Sequence, residues 1–158
     1  MLVKDVIDVD YVNYKKPSMI IAMPKCSFKC DKLNGKKVCQ NSMLAEQRDI
    51  DVDFKTLITR YLNSSAQAIC FQGLEPFDSY NELLCFIKDF RANSMDDIVI
   101  YTGYDRNEIE NMVRYIAAYG IRNVIIKFGR FIQGHQPHYD EILGVNLASD
   151  NQYAERIC

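Results

Sequence analysis

The chain has 158 residues, of which 48% are hydrophobic and 25% charged, and its formal net charge is −2 at pH 7. This length, with no low-complexity tract, suits one globular domain over residues 1–158 and argues against a second. The small net charge gives no general reason to expect nucleic acid or a membrane as a partner. No stretch reaches the roughly 20 apolar residues of a membrane span, and no signal sequence opens the chain, so we expect a cytoplasmic protein.

Four short apolar runs, rich in β-branched residues, predict buried strands. They cover residues 19–23, 66–71, 97–102 and 123–128. Between them, apolar residues spaced three and four positions apart predict amphipathic helices. The alternation of strand and helix predicts an α/β fold, namely a partial, open β/α barrel with a mostly parallel sheet.

Local signals mark the ends of these elements. Two capping-box pairs predict helix starts, Ser79 with Glu82 and Asp105 with Glu108. Gly120 predicts a helix end. We also expect a further strand within residues 3–12, and an irregular loop with one short final element after Gly129.

The loops that follow the four predicted strands carry the most distinctive residues. These loops are the cysteine-rich segment after residue 23, then Gln72-Gly73-Leu74-Glu75-Pro76, Thr102-Gly103-Tyr104 and Gly129-Arg130. Because the carboxyl ends of parallel strands meet at one edge of a sheet, we expect these loops to share one ligand site.

Three cysteines, Cys26, Cys30 and Cys39, lie in the first of these loops. The Asn34-Gly35 pair is typical of a two-residue β-hairpin turn, because both residues tolerate positive φ. Counting outward from that turn places Cys30 opposite Cys39. The spacing therefore predicts a compact group of three thiols, which is suited to an iron-sulfur cluster.

Two alternatives for these thiols stay open. One is a disulfide across the predicted hairpin, which a reducing cytoplasm disfavours. The other is a zinc site completed by His135 or His138, which lie far along the chain. Cys70 and Cys85 fall in a buried strand and on or beside an apolar helix stripe, so we expect them in the core.

Several motifs follow one another in order from the first predicted strand to the C-terminus. They are Cys26-x3-Cys30 with Cys39-Gln40-Asn41, then Gly73-Leu74-Glu75-Pro76, Tyr101-Thr102-Gly103-Tyr104, Gly129-Arg130-Phe131-Ile132 and Asp150-Asn151-Gln152. Together they resemble the radical S-adenosylmethionine (SAM) superfamily, in particular the activating proteins of anaerobic ribonucleoside-triphosphate reductase. The resemblance covers roughly residues 18–157 and implies a single radical SAM-like domain.

The chain departs from the family pattern at two places. The family spacing is C-x3-C-x2-C, whereas six extra residues separate Cys30 from Cys39 here. Loop-closure entropy grows only logarithmically, so this insertion costs on the order of 1 kcal/mol. Leu74 replaces the second glycine of Gly-Gly-Glu-Pro, and a side chain there is expected to reshape the pocket if the backbone requires glycine.

The resemblance implies that Cys26, Cys30 and Cys39 hold a [4Fe-4S] cluster with one iron open to SAM. Reductive cleavage of SAM then gives methionine and a 5'-deoxyadenosyl radical. It also implies the following contacts to the cofactor: Glu75 to the methionyl ammonium, Gly73 and Leu74 at the same end, Thr102 and Gly103 along its border, and Asn41 and Val38 at the cysteine loop and nucleoside. Lys127 is predicted on the carboxylate or ribose side from its place on the fourth strand.

The implied substrate is the large glycyl-radical subunit of anaerobic ribonucleotide reductase, with an electron donor such as flavodoxin. A short chain leaves little sequence for a separate substrate-binding domain, which favours a protein substrate. Two other functions stay open. One is a radical SAM enzyme acting on a small molecule or a nucleobase, and the other is a non-enzymatic metal- or redox-binding module.

Overall fold

The computed structural model describes all of residues 1–158. Its ten strands are β1 (Leu2–Val3), β2 (Asp5–Asp10), β3 (Ser18–Met23), β4 (Ile50–Asp51), β5 (Ala68–Gly73), β6 (Asp97–Tyr101), β7 (Val124–Phe128), β8 (His138–Asp140), β9 (Val145–Leu147) and β10 (Tyr153–Arg156). Its α-helices are α1 (Lys29–Asn34), α2 (Ser42–Ala45), α3 (Phe54–Leu62), α4 (Tyr80–Arg91) and α5 (Glu110–Ala118), and 3₁₀ turns cover Pro76–Ser79 and Arg106–Glu108.

A six-stranded sheet in the order β10-β7-β6-β5-β3-β2 forms the centre of the molecule. Strands β3, β5, β6 and β7 are the four predicted strands, and they are parallel neighbours in chain order. The edge strands β2 and β10 pair antiparallel with β3 and β7. The prediction of an α/β fold is confirmed, but the sheet is mixed rather than mostly parallel, because the strands at both edges run antiparallel to their neighbours.

Three amphipathic helices connect the parallel strands, as the sequence predicts. The Asp53 carboxylate caps α3 by accepting a hydrogen bond from Thr56 N at 2.9 Å. The predicted capping box before α5 forms, with Glu108 Oε2 accepting from Asp105 N at 2.9 Å. Gly120 follows α5 with φ of 69°, the left-handed conformation that ends a helix.

The predicted capping box of Ser79 with Glu82 is wrong. Helix α4 does start after Ser79 as predicted, but the Ser79 side chain makes no capping hydrogen bond, and a 3₁₀ turn at Pro76–Ser79, capped by Glu75, runs directly into the helix. Glu75 Oε1 accepts a hydrogen bond from Phe77 N at 3.1 Å, whereas the buried Ser79 hydroxyl has no partner. The cap is therefore supplied by a residue of the predicted ligand site.

The predicted hairpin at Asn34-Gly35 is also wrong. Cys30 and Asn34 belong to helix α1, and Gly35 ends this helix with φ of 65°. A type I′ turn needs positive φ at both central residues, but only Gly35 has it here. The same glycine signal thus serves a helix end, and Cys30 does not pair with Cys39 across a hairpin.

The two faces of the sheet bury separate hydrophobic clusters, because successive strand residues point to opposite faces. The helix-covered face holds the larger cluster of 25 buried residues, including Ile21, Phe71 and Ile100. The opposite face packs Cys70 and Val99 against residues of the β8–β9 hairpin and its turn. Cys70 is thus in the core as predicted.

Two further expectations are corrected. Cys85 is exposed rather than buried in the core, because it lies beside the apolar stripe of α4. The segment after Gly129 is more ordered than predicted, with the β8–β9 hairpin and strand β10 in place of one short element. No helix is both long and apolar enough to cross a membrane.

Candidate metal centre

A cavity of about 480 Å³ opens at the carboxyl ends of the parallel strands. This volume is within the range of small-molecule sites. Ten of the predicted site residues line it: Cys26, Cys30, Cys39, Asn41, Gly73, Leu74, Glu75, Thr102, Gly103 and Lys127. Val38, His135 and His138 do not. The structure therefore brings these ten residues to one cavity at this edge of the sheet, although the predicted hairpin is absent.

All six cysteines are free thiols. No three His, Cys, Asp or Glu side chains form a group that could hold a metal ion in this structure. The three thiols line one cavity, but the compact group that the sequence predicts does not form, because Cys30 lies on helix α1 and does not face Cys39 across a hairpin.

Cys26 lies in a tight bend of the cysteine loop, which we define as residues 24–41. Phe28 N donates a hydrogen bond to Cys26 Sγ at 3.2 Å, and Phe28 has the unusual φ of 51°. Burial raises the pKa of Cys26 to about 11, although the Phe28 amide opposes this. The bend thus presents an amide donor to the sulfur, which favours the thiolate when a metal replaces the proton.

Cys30 and Cys39 approach the cavity from α1 and from the segment before α2. Burial raises the pKa of Cys30, and the charge of Cys39 adds to this. A Cβ on Gly103 would lie 3.7 Å from Cys30 Sγ and 3.5 Å from Glu75 Oε2. The bare Gly103 backbone therefore separates a thiol from a carboxylate.

Glu75 is the buried acid of the site, with 6% of its surface exposed. Its Oε1 accepts hydrogen bonds from Thr102 Oγ1 at 2.7 Å and Phe77 N at 3.1 Å, and its Oε2 accepts one from Gly103 N at 2.8 Å. Burial raises the pKa of Glu75 to about 7, and the three hydrogen bonds oppose this. Two carboxylate oxygens offer about four acceptor positions, so Oε2 keeps one free.

Lys127 is the buried base of the site and is likewise 6% exposed. Its ammonium donates to Gly129 O at 2.7 Å and, more weakly, to Thr102 O at 3.5 Å. Burial lowers the pKa of Lys127 to about 8, while the charges of Glu75 and Cys30 counteract this. An ammonium has three donors, so one remains for a ligand.

Gly73 and Leu74 differ in what their backbones require. Gly73 has φ of 93°, and a Cβ there would lie 3.0 Å from Ala22 Cβ and 3.0 Å from Leu44 Cδ2. Leu74 is not among the residues with positive φ, so its backbone does not require glycine. Leu74 lines the cavity. The departure from the family motif therefore puts no strain on the backbone.

Polar contacts tie the cysteine loop to the neighbouring loops. Asp78 accepts hydrogen bonds from Ser27 N at 2.7 Å and from Tyr104 Oη at 2.5 Å. Arg130 pairs with Glu108 at 2.6 Å and lies over the Tyr104 ring. These contacts explain why Tyr104 and Arg130, which the sequence pattern singled out, do not themselves line the cavity.

The two C-terminal motifs meet each other. Asn151 Nδ2 donates to Arg130 O at 2.9 Å, and Gln152 Nε2 donates to Gly129 O at 3.2 Å. A Cβ on Gly129, at φ of 93°, would lie 2.9 Å from Asn151 O. The two segments therefore interlock beside Lys127.

Sequence reasoning missed one wall of the cavity. Residues 145–148, in and after β9, line it. Gly144, with φ of 73°, turns the chain between β8 and β9 and was the available signal. The strands are only three residues long, too short for an alternating pattern to stand out.

A family model described as a 4Fe-4S single cluster domain matches residues 18–152. The chain belongs to this family. The matched range starts with β3 and includes all three cysteines of the cavity. Membership in the 4Fe-4S single cluster domain family supports an iron-sulfur cluster protein. Comparison with curated proteins and with solved structures gave no match.

The residue types around the cavity suit such a cluster, although the three thiols do not converge into a metal-binding group in this structure. The usual ligands of the cluster are cysteine thiolates, and three free thiols lie around one cavity. An amide donor reaches one sulfur, and the positive charge of Lys127 favours the thiolate of Cys30. The donor set is short of one thiolate for a fully protein-ligated cluster.

Proposed function

We propose that this protein is a radical SAM enzyme of the glycyl-radical activating type, built as an open partial β/α barrel. The observation that carries the proposal is the shared cavity, where three thiols, a buried carboxyl group and a buried ammonium meet. When bound, the [4Fe-4S] cluster and SAM supply the reductive cleavage of a sulfonium to methionine and a 5'-deoxyadenosyl radical. The radical SAM resemblance supports this interpretation of the site.

Cys26, Cys30 and Cys39 are the proposed cluster ligands. Burial raises the pKa of Cys26 and of Cys30, so both thiols are protonated in the metal-free protein at neutral pH. Cluster assembly therefore releases these protons, as metal binding to thiols does in general. With only these three thiolates, the protein would leave a [4Fe-4S] cluster short of one protein ligand, which is where SAM would bind.

Glu75 and Lys127 are proposed to hold the amino-acid end of SAM. The free acceptor position on Glu75 Oε2 suits the methionyl ammonium, and the third donor of Lys127 suits the carboxylate. Both side chains are fixed by hydrogen bonds to the ends of β6 and β7, which limits the entropy lost on binding. The pair thus matches a zwitterion.

The other residues predicted to contact SAM lie at different parts of the cavity. Thr102 and Gly103 fix the Glu75 carboxylate, and Gly73 and Leu74 form the adjoining wall. Asn41 lines the cavity beside Cys39. Val38 has its amide bonded to Asp31 Oδ1 at 2.8 Å, so we propose that it supports the cysteine loop rather than the nucleoside.

We propose a protein substrate, the large glycyl-radical subunit of anaerobic ribonucleotide reductase. Ile7 and Val12 line the cavity and are 46% and 74% exposed, so the cavity reaches the surface along β2 and the segment after it. A protruding loop of a partner fits such an open apolar rim. Lys32 and Lys36 are exposed on the cysteine loop, which favours an acidic electron donor such as flavodoxin.

The test is anaerobic reconstitution with iron and sulfide, followed by reduction with SAM present. We expect 5'-deoxyadenosine from the wild type and none from a variant with Cys26, Cys30 and Cys39 changed to Ala. Cys85→Ala is the matched control, because Cys85 is exposed and away from the cavity. If the cluster assembles but no 5'-deoxyadenosine forms, the protein is a non-enzymatic iron-sulfur module. Deoxyadenosine without a glycyl radical on the reductase, measured by electron paramagnetic resonance, would favour a small substrate.

A further inference from the structure

The eight residues between Cys30 and Cys39, here called the inserted segment (residues 31–38), are folded rather than extended. Helix α1 continues through Asn34, and Gly35 turns the chain with a hydrogen bond from its amide to Lys32 O at 3.4 Å. The six-residue excess over the family spacing is thus one helical turn and its return. The return must bring Cys39 back to the cavity.

Asp31 holds that return in place. Its Oδ1 accepts hydrogen bonds from both Val38 N and Cys39 N, each at 2.8 Å. Hydrogen bonds to an ionised acceptor are stronger than neutral ones, and here one carboxylate oxygen binds two consecutive amides. Because Asp31 directly follows Cys30, this contact links the backbones of the two cysteines across the inserted segment.

Asn34 holds the other end of the helix. Its Nδ2 donates to Cys30 O at 2.8 Å and to Phe131 O at 3.2 Å, and its Oδ1 accepts from Gln133 N at 3.1 Å. The side chain therefore fastens α1 to the segment after β7. Both partners of Asn34 beyond the helix belong to a loop that borders the cavity through Phe131.

We propose that Asp31 and Asn34 are positioning residues that order the backbone between Cys30 and Cys39 and so keep both cysteines at the cavity where the cluster would bind. In the family pattern, a spacing of two residues is enough to keep the second and third cysteines close together. Here the contacts of Asp31 and Asn34 within the inserted segment would do this instead. Without these contacts, the eight-residue loop would sample many separations of the two thiols, and cluster binding would have to pay for its ordering. The inference rests on assigning the cluster to these cysteines, as proposed above.

The first measurement uses metal-free, reduced protein, so it does not depend on any activity. We expect Asp31→Ala to speed hydrogen–deuterium exchange of the Val38 and Cys39 amides by about tenfold, as the loss of a charge-assisted hydrogen bond implies. Asp31→Asn keeps an acceptor and should fall between. Lys32→Ala is the matched control, since Lys32 is an exposed neighbour on the same helix. Unchanged exchange in Asp31→Ala overturns the proposal.

The second measurement follows the cluster. After identical reconstitution, Asp31→Ala and Asn34→Ala should lose iron to a chelator about tenfold faster than Lys32→Ala, as for other residues that orient metal ligands. Equal rates overturn the positioning role even if the amides exchange faster. If the wild type takes up no cluster, the proposed function fails, while the exchange data still decide whether Asp31 orders the return to Cys39.

Discussion

Replacing Glu75 by Gln tests the electrostatics of the site through the pH dependence of folding. The pKa of Glu75 rises from 4.5 to about 7 in the folded protein, chiefly because of burial. A raised carboxyl pKa means that the native state holds the proton more tightly than the unfolded state. The associated stability is complete below about pH 4.5 and is lost as the pH rises through about 7.

The magnitude follows from the shift. Raising the pKa of Glu75 from 4.5 to about 7 corresponds to at most about 3 kcal/mol of unfolding free energy. This free energy is lost as the pH rises from 4.5 to above 7. The glutamine side chain introduced by Glu75→Gln does not titrate, so the variant lacks this decline. Its amide NH₂ opposing Gly103 N–H costs a further amount, about 1–3 kcal/mol, that does not depend on pH.

The assay is chemical unfolding of reduced, metal-free protein at several pH values from 5 to 8. We expect wild type to exceed Glu75→Gln in free energy of unfolding most at pH 5, with the difference shrinking by up to about 3 kcal/mol toward pH 8. Glu141→Gln is the matched control, because Glu141 is exposed. A difference between wild type and Glu75→Gln that is constant over this range would refute the reasoning.

Three further predictions concern shape and charge around the cavity. Gly73→Ala should destabilise the protein by about 1–3 kcal/mol in chemical unfolding, because the new Cβ combines φ of 93° with a 3.0 Å approach to Ala22. Gly103→Ala should fold normally, since its nearest contacts are 3.5 Å or longer, but calorimetry should show weaker SAM binding. Lys32→Glu combined with Lys36→Glu should slow cluster reduction by flavodoxin, and stopped-flow absorbance should show reduction by a small neutral donor unchanged.

A different outcome would contradict each of these three predictions. Wild-type stability of Gly73→Ala would mean that β3 and α2 give way easily. Unchanged SAM affinity of Gly103→Ala would move the ligand away from the space between Cys30 and Glu75. If Lys55→Glu on α3, which is also exposed, slows flavodoxin as much as the double variant, the effect is one of overall charge.

The periodic parts of this fold could be predicted because their signals are local. The runs that became β3, β5, β6 and β7 are buried on both faces and rich in β-branched residues, and the helices between them carry one apolar stripe. The edge-strand direction of β10 and the short β8–β9 hairpin have no such signal. Their pairing depends on contacts such as Ala154 N to Asp140 Oδ2 at 2.9 Å, between distant residues.

The cysteine loop shows the same division. The place of Cys26, Cys30 and Cys39 after a buried strand is enough to predict from sequence that all three line one cavity, but not that they form a compact group. Whether Gly35 closes a hairpin or ends a helix depends on what the flanking residues contact. Asn34 reaches the segment after β7, and this tertiary contact accompanies the helical choice.

The sequence by itself thus determined which elements form, in what order, and which side chains gather at the carboxyl edge of the sheet, because hydrophobic periodicity and strand polarity act locally. Only the tertiary structure decided how the thiols are held, that Glu75 and Lys127 are both buried beside them, and that a C-terminal hairpin closes one wall. Burial and long-range hydrogen bonds exist only once the chain has folded, so no local pattern encodes them.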